Sequence, residues 1–249
     1  MELAAYRQFA ELEEEHFWFR GRRAIFFTLL DSFLRGRDNL RVLEVGCGAG
    51  GLLRRLDRYG SSTGLELSPE LSVLSRERSG RPTVCANAYD IPMPDASQDL
   101  VCLFDTLEHI PDEARALREV QRVLGPGGLA FFSVPAYQFL YSNNDRIAHH
   151  HKRYTRGGLK RAVSAAGLEP VKLTYFNTFL FPLILPAVLL GKLQERLFGL
   201  KDPDRTNLSW QPPGPLNRTL AAVMGSERHL LRWLSFPVGH SLIGVFRRS

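Results

Sequence analysis

Apolar positions in this chain gather in short runs closed by glycine or proline turns, and between the runs they recur at helical spacing. Val42-Leu43-Glu44-Val45 is the first such run, and Gly46-Cys47-Gly48-Ala49-Gly50-Gly51 turns it. Leu52, Leu53, Leu56 and Tyr59 then carry the spacing of a helix, with Gly60 as its C-cap. Thr63-Gly64-Leu65-Glu66-Leu67 reads as a second strand, and Ser68-Pro69 as the N-cap and first-turn proline of the next helix. Further strands are expected over 83–86, 99–105, 129–135, about 170–176 and 242–246. Between the fourth and fifth, Asp112 caps a helix whose Leu117, Val120 and Leu124 fall at i, i+3 and i+7, and Gly125-Pro126 stops it. Another helix starts near Thr155. Strands alternating with helices imply a parallel sheet covered on both faces.

Two segments depart from that alternation. Residues 3 to about 34 read as a pair of helices broken near Gly21, with His16-Phe17-Trp18-Phe19-Arg20-Gly21-Arg22-Arg23 between them. Trp18 and Phe19 are expected to staple the pair to the main body, and Arg20 or Arg23 to clamp an anionic group. The second segment, 177–239, opens with Phe179-Leu180-Phe181-Pro182-Leu183-Ile184-Leu185-Pro186-Ala187-Val188-Leu189-Leu190. No charge occurs from Leu173 to Gly191, which approaches a membrane span in length, yet two prolines interrupt it. A lid or packed cap over the site is the first reading. A helix lying on a bilayer, flanked by Lys192, Arg196 and Lys201, and an oligomer contact are the others. Residues 201–216 read as a loop and 217–234 as a helix. The chain therefore divides into an N-terminal helical segment (1–36), an α/β core (37–176), a helical insertion (177–239) and a final core strand (240–249).

The 249 residues suffice for one α/β domain with such an insertion. A net charge of +6 favours anionic surfaces, but the arginines are scattered and no aromatic-basic RNA motif occurs, so nucleic acid is not an expected partner. Cys47, Cys85 and Cys102 are odd in number and lack C-x-x-C spacing, which suggests neither a zinc site nor a disulfide framework and fits a reducing cytoplasm. The N-terminus does not read as a signal peptide. No acidic cluster suggests a catalytic metal.

The glycine turn decides the chemistry. Gly46, Gly48 and Gly51 satisfy G-x-G-x-x-G, and Glu66 lies about 20 residues on, so a dinucleotide is formally allowed. Glu44 opposes it: two like charges ~4 Å apart cost about 4 kcal/mol at an effective dielectric near 20. A ligand with a cationic amino group would welcome that carboxylate. Glu44-Val45-Gly46-Cys47-Gly48-Ala49-Gly50 resembles the first motif of the class I S-adenosylmethionine-dependent methyltransferases. Two more segments are similar to signatures of that family: Asp99-Leu100-Val101 with Thr106-Leu107-Glu108-His109, and Arg122-Val123-Leu124-Gly125-Pro126-Gly127-Gly128. Together they cover about residues 40–175 and the last strand. The resemblance implies a doubly wound, Rossmann-like, seven-stranded, mostly parallel sheet, with S-adenosylmethionine as cofactor. It implies that Glu44, Gly46, Cys47, Gly48, Gly50, Glu66, Leu67, Asn87, Ala88, Asp105, Thr106 and Arg23 surround the cofactor, Glu66 accepting the ribose hydroxyls. Asn87 departs from the acidic residue usual at its position but keeps an amide able to meet adenine.

Acceptor chemistry is expected in the loop after the fifth strand, where ligands gather beyond the carboxyl ends of a doubly wound sheet. His149, His150, His151 and Tyr154 are the candidates, a histidine serving as base for a hydroxyl acceptor. His149 and His151 share one side of an extended segment and His150 the other. Arg153 and Tyr154 could equally pin the loop to the sheet, and His109 reads as support beside the cofactor. The Asp/Asn-Pro-Pro-Tyr turn of many amino-group methylases is missing after the fourth strand. The expected activity is methyl transfer to a small or lipid-like acceptor, at oxygen, by in-line displacement. The alternatives are a nicotinamide-dependent oxidoreductase, for which no Tyr-x-x-x-Lys pair is present, and a non-catalytic membrane-associated module.

Overall fold

The computed structural model describes residues 10–199 and 210–249. Strands β1 (Leu40–Val45), β2 (Gly60–Glu66), β3 (Thr83–Cys85), β4 (Gln98–Phe104), β5 (Leu124–Pro135), β6 (Leu168–Phe176) and β7 (Ser241–Arg248) form one sheet. Their order is β3-β2-β1-β4-β5-β7-β6, parallel except for β7, which runs antiparallel to both its neighbours. Strand order reverses between β1 and β4, so the turns leaving these two strands flank a crevice, the usual ligand position in such a sheet.

The two faces follow from the period-2 alternation of the strands. Leu43, Val45, Val101, Leu103, Ala130, Phe132 and Val134 build one core. It packs on helices α4 (Glu113–Val123) and α6 (Arg156–Ala165) through Leu117, Val120, Leu159 and Val163. Val42, Leu100, Cys102, Phe104, Leu129 and Phe131 face the other core, covered by α1 (Phe17–Phe33). There Phe26 stacks on Phe104 at 5.3 Å and meets Phe131 and Phe176 edge-on. Each of these buried rings is worth about 1.5–3 kcal/mol over leaving it in water.

Local signals place the helices that carry the site. His16 caps α1 by accepting from the Trp18 N–H. The helix after β1 shrinks to α2 (Leu53–Leu56) and a 3-10 turn at Asp57–Tyr59. Gly60 caps that turn as expected, its N–H donating to the Asp57 carbonyl, and it also begins β2, pressed so tightly on the Leu40 backbone that no side chain fits. α3 (Pro69–Ser79) starts at the Ser68 cap and ends at left-handed Gly80.

Gly21 is not a break: α1 runs through it without interruption. A Cβ there would lie 2.7 Å from the Met224 side chain, so the bare backbone lets α8 (Gly214–Ser226) approach. The expected helix over 217–234 is two pieces, α8 and α9 (Arg228–Leu231). Between them the Glu227 carboxylate turns away to accept the Phe179 N–H. Much of the expected first N-terminal helix, together with Lys201 and the adjoining loop, lies outside the described residues.

The apolar run after β6 forms α7 (Phe181–Phe198), in which no residue is buried. It stands beside the loop after β5, joined to it by Lys192 donating to the Phe139 carbonyl and by an Arg146–Glu195 ion pair. A helix packed as a cap would bury one face, and this one leaves Leu183, Leu190, Leu193 and Leu197 more than half exposed. Among the described residues no helix is long and apolar enough to cross a membrane.

Candidate active site

At the end of β1 the chain must reverse within a few residues, and Gly46, Gly48 and Gly50 all take positive φ to do so. A Cβ on Gly46 would run into Thr106, and one on Gly50 into the Ser75 backbone. Four of the loop's N–H groups are already spent. Those of Gly46 and Cys47 donate to the Leu65 carbonyl, that of Gly50 to the Cys47 carbonyl, and that of Gly48 to Glu66 Oε2 at 2.9 Å. A pyrophosphate cradle needs such donors free, and these four are turned inward, away from a phosphate.

Three carboxylates converge on it instead. Glu44 is buried, and its Oε2 has no hydrogen-bond partner among the described residues. Burial, reinforced by Glu13 and Glu66, pushes its carboxyl well above the usual range. Glu66 accepts from the backbone N–H groups of Gly48 and Ser68, which fixes its orientation and leaves lone pairs over. Glu13 lies against Gly51 and pairs with Arg78 at 2.5 Å. A ligand bringing an ammonium group would satisfy the orphaned oxygen of Glu44, as S-adenosylmethionine does, so the residues present fit that cofactor.

The neighbouring turn, after β4, completes the crevice. Asp105 adopts left-handed backbone, φ 49°, and its Oδ1 accepts from Ser133 Oγ. Its Oδ2 pairs with Arg22 of α1, whose guanidinium also lies 5.2 Å from the Phe26 ring centre. Arg22, not Arg23, is therefore the arginine of α1 in the crevice. Arg23 donates to the Glu13 carbonyl and lines an open groove of about 580 Å³ shared with Arg20, Arg55, Arg58, Arg218 and Arg228. The reason is helical phase. Trp18, Arg22 and Phe26 share one stripe at i, i+4 and i+8, and Phe26 fixes that stripe to the core, turning Arg23 about 100° away.

The other expected cofactor residues are placed as follows. Cys47 is buried against Ser75 Oγ at 3.3 Å, and burial, then Glu44, pushes its thiol up, so it is no nucleophile. Asn87 is exposed and spends its Oδ1 on the Tyr89 N–H, Ala88 packs on the core, and Leu67 is 66% exposed at the rim.

The loop after β5 returns to the β4 turn. Its helix α5 (Asn143–Ile147) begins with a capping box in which Asp145 reaches back to the Ser142 N–H. The Asp145 carboxylate also receives His150 Nδ1 and Arg153 Nε, both at 2.8 Å. Burial alone would raise it, but these partners hold it below the usual carboxylate range. His150 Nε2 is thereby directed at Glu108, 3.9 Å away, while its ring meets that of His109 edge-on at 4.6 Å. Burial, with the His150 charge beside it, lowers His109 to about 3. Burial raises Glu108 to about 8, and neither of its carboxylate oxygens has a hydrogen-bond partner among the described residues.

Of the remaining candidates, His149 and His151 are exposed. His151 serves through its backbone, donating to the Glu108 carbonyl at 2.8 Å. Tyr154 is withdrawn from any acceptor: it is buried, and its hydroxyl donates to Glu113 at 2.7 Å. Its backbone exchanges hydrogen bonds with Pro135 and Tyr137 and, with Arg153 on the Ala136 carbonyl, pins the loop to β5. Sequence reasoning missed Glu13, Arg22 and Asp145. Only Arg22 left a trace, as a charge inside an aromatic stripe.

Residues 43–132 match the family profile described as "Methyltransferase domain". A "Probable S-adenosylmethionine-dependent methyltransferase" of Mycolicibacterium smegmatis is 36% identical over 135 residues, covering 53% of this chain and 51% of the relative. A "Ubiquinone biosynthesis O-methyltransferase" of Hydrogenovibrio crunogenus is 32% identical over 103 residues, covering 39% and 43%. The chain spans about half the length of the curated relatives it matches. Among solved structures, an S-adenosylmethionine-dependent methyltransferase from Mesorhizobium loti superposes with a TM-score of 0.58 over 90% of this chain and 98% of its own. At 19% identity that likeness speaks to the fold.

Proposed function

We propose, on the premise that this chain belongs to the class I S-adenosylmethionine-dependent methyltransferases, that it methylates an oxygen of a small or lipid-like acceptor. The observation that carries this reading is the Asp145–His150 pair, aimed at the turn that follows the cofactor residues Asp105 and Thr106. S-adenosylmethionine, when bound, supplies a methyl group activated on a sulfonium. Glu44 accepts hydrogen bonds from the α-ammonium, and Glu66 from the ribose hydroxyls through the lone pairs left by Gly48 and Ser68. Asn87 and Ala88 border the adenine. Arg22 and Asp105 hold the floor between cofactor and acceptor.

His150 takes the acceptor's hydroxyl proton at Nε2, and Asp145 steadies the imidazolium that results. Tyr154 and Arg153 keep the loop in register, and His109 lies alongside. Alignment of oxygen, methyl and leaving sulfur supplies about 7–11 kcal/mol of the barrier reduction. An oxygen acceptor agrees with the name of the Hydrogenovibrio relative. A lipid-like one agrees with the bare apolar surface of α7, flanked by Lys192 and Arg196, which suits the rim of an anionic bilayer. The nicotinamide reading loses support because Gly46, Cys47, Gly48 and Gly50 spend their N–H groups within the protein and the buried Glu44 and Glu66 stand where a pyrophosphate would come.

Incubation with isotopically labelled S-adenosylmethionine and a panel of phenols, quinols, sugars and lipid-linked alcohols tests the reading. One labelled methyl on oxygen, lost in His150→Ala while cofactor affinity holds, is the expected result. Methyl transfer to nitrogen only, or full turnover by His150→Ala, would overturn it.

A further inference from the structure

We propose that Glu108, His109 and His150 bind a divalent transition-metal ion of the Zn2+ class, with Asp145 as the outer partner that orients His150. One donor atom from each of the three residues lies within 4.8 Å of the other two. A tetrahedral ion with bonds near 2.0–2.1 Å separates its ligands by roughly 3.4 Å. Small side-chain rotations close that gap.

Two observations independent of the clustering point inward to the same centre. Both carboxylate oxygens of Glu108 are buried and, among the described residues, unpartnered in a side chain that is fully enclosed. An orphaned carboxylate of that kind costs several kcal/mol unless a cation meets it. His150 carries the arrangement typical of metal-ligating imidazoles, one nitrogen fixed by a carboxylate and the other turned to the ion. Asp145 is itself immobilised by Arg153 and the Ser142 capping box. Arg22, the cation nearest in kind, is already paired with Asp105. Turning Glu108 onto the unpartnered Arg22 Nε would leave the two edge-on imidazoles with nothing between them.

Two neutral imidazoles and one carboxylate suit Zn2+, Co2+ or Fe2+ better than Mg2+. They leave a coordination position open and the site one positive charge in excess. What the ion does there rests on the function proposed above. An acceptor hydroxyl takes the open position, loses its proton to water, and attacks through its oxygen lone pair. The O–CH3 bond forms as the S–CH3 bond breaks, its electron pair staying on sulfur. With the ion bound, His150 acts on the acceptor through the metal rather than by taking the proton itself.

The test uses tag-free, full-length protein stripped with chelator and titrated with Co2+. We expect visible d–d absorption saturating at one ion per chain and displaced by Zn2+. His109→Ala and His150→Ala abolish it, and Asp145→Asn weakens affinity roughly 10–100-fold. His149→Ala and His151→Ala, which remove exposed histidines of the same run, leave it unchanged. Glu108→Gln, which keeps the shape, checks the third ligand should an alanine variant fail to fold. S-adenosylhomocysteine affinity is measured on every variant, so that loss of metal is told apart from loss of the methyltransferase reading. No stoichiometric binding, binding that survives His109→Ala, or binding lost in His149→Ala would overturn the site.

Discussion

Replacing Glu44 with Gln keeps the shape of the side chain and removes its charge from a site where Oε2 has no partner among the described residues. If the carboxylate is there to receive an ammonium group, the substitution costs the difference between a charge-assisted hydrogen bond and a neutral one. Bonds to charged groups are worth about 1.5–3 kcal/mol and neutral ones about 0.5–1.5, a difference of about 1–1.5 kcal/mol, so affinity for S-adenosylhomocysteine falls roughly 5- to 13-fold. The loss is confined to ligands that carry the amino group: 5′-methylthioadenosine, which lacks it, binds both proteins alike. The pH dependence has a definite sign. Because burial raises the Glu44 carboxyl in the ligand-free protein, it holds a proton at pH values where an exposed glutamate would not. Binding an ammonium requires that proton to leave. Wild-type affinity therefore climbs as pH rises above the ordinary carboxylate range, while the Gln variant shows no such climb. The same raised carboxyl stabilises the ligand-free fold at low pH and stops doing so as pH rises through it, so Glu44→Gln melts higher than wild type at neutral pH. Isothermal calorimetry with the two ligands across pH gives the answer. Equal weakening of both, or of neither, would refute the assignment of Glu44 to the amino group.

Other expectations follow from the packing. Gly21→Ala sets a Cβ 2.7 Å from Met224 and destabilises the α1–α8 contact by about 1–3 kcal/mol of overpacking, more than its helical propensity returns, read from urea midpoints. Asp145→Asn breaks a buried network and costs about 3–5 kcal/mol near neutral pH. Because His150 and Arg153 depress the Asp145 carboxyl, that contribution is present above its unfolded value near 3.9 and fades as pH falls, so melting curves of the two proteins converge in acid. Leu190→Asp on α7 leaves the unfolding midpoint within about 0.5 kcal/mol of wild type. It lowers co-sedimentation with phosphatidylglycerol vesicles, and unchanged sedimentation would count against a lipid-facing role.

What could be read in advance was what the chain writes contiguously. The glycine turn, Glu44 before it and Glu66 at the end of the next strand are separated by one strand-turn-helix unit, so spacing alone brings them together. What escaped depends on phase or on distant partners. Arg22 and Arg23 are equivalent in composition and differ only in which side of α1 they occupy, and Phe26, a core residue, decides between them. Gly21 looked like a helix breaker because its propensity is poor, yet Met224, some two hundred positions later, needs the space that only a glycine leaves. Asp145 gains its role from Ser142, His150 and Arg153 only once the loop has folded on itself. The run over 177–198 forms a helix with no buried residue, because hydrophobicity without a one-sided stripe says that a surface exists, not which partner covers it.

The placing of β7 has a consequence for how such a chain can change. Because β7 slots between β5 and β6, Phe176 and Ser241 are cross-strand partners, and the whole excursion between them leaves and rejoins the sheet at adjacent rungs. Lengthening a closed excursion costs only about 0.6 kcal/mol per doubling. The turn between β1 and β2 has less slack, since a Cβ at Gly46, Gly50 or Gly51 would strike Thr106, Ser75 or Glu13. New acceptors can therefore be accommodated over evolutionary time by rewriting one edge of the molecule, while the half that reads the cofactor stays fixed.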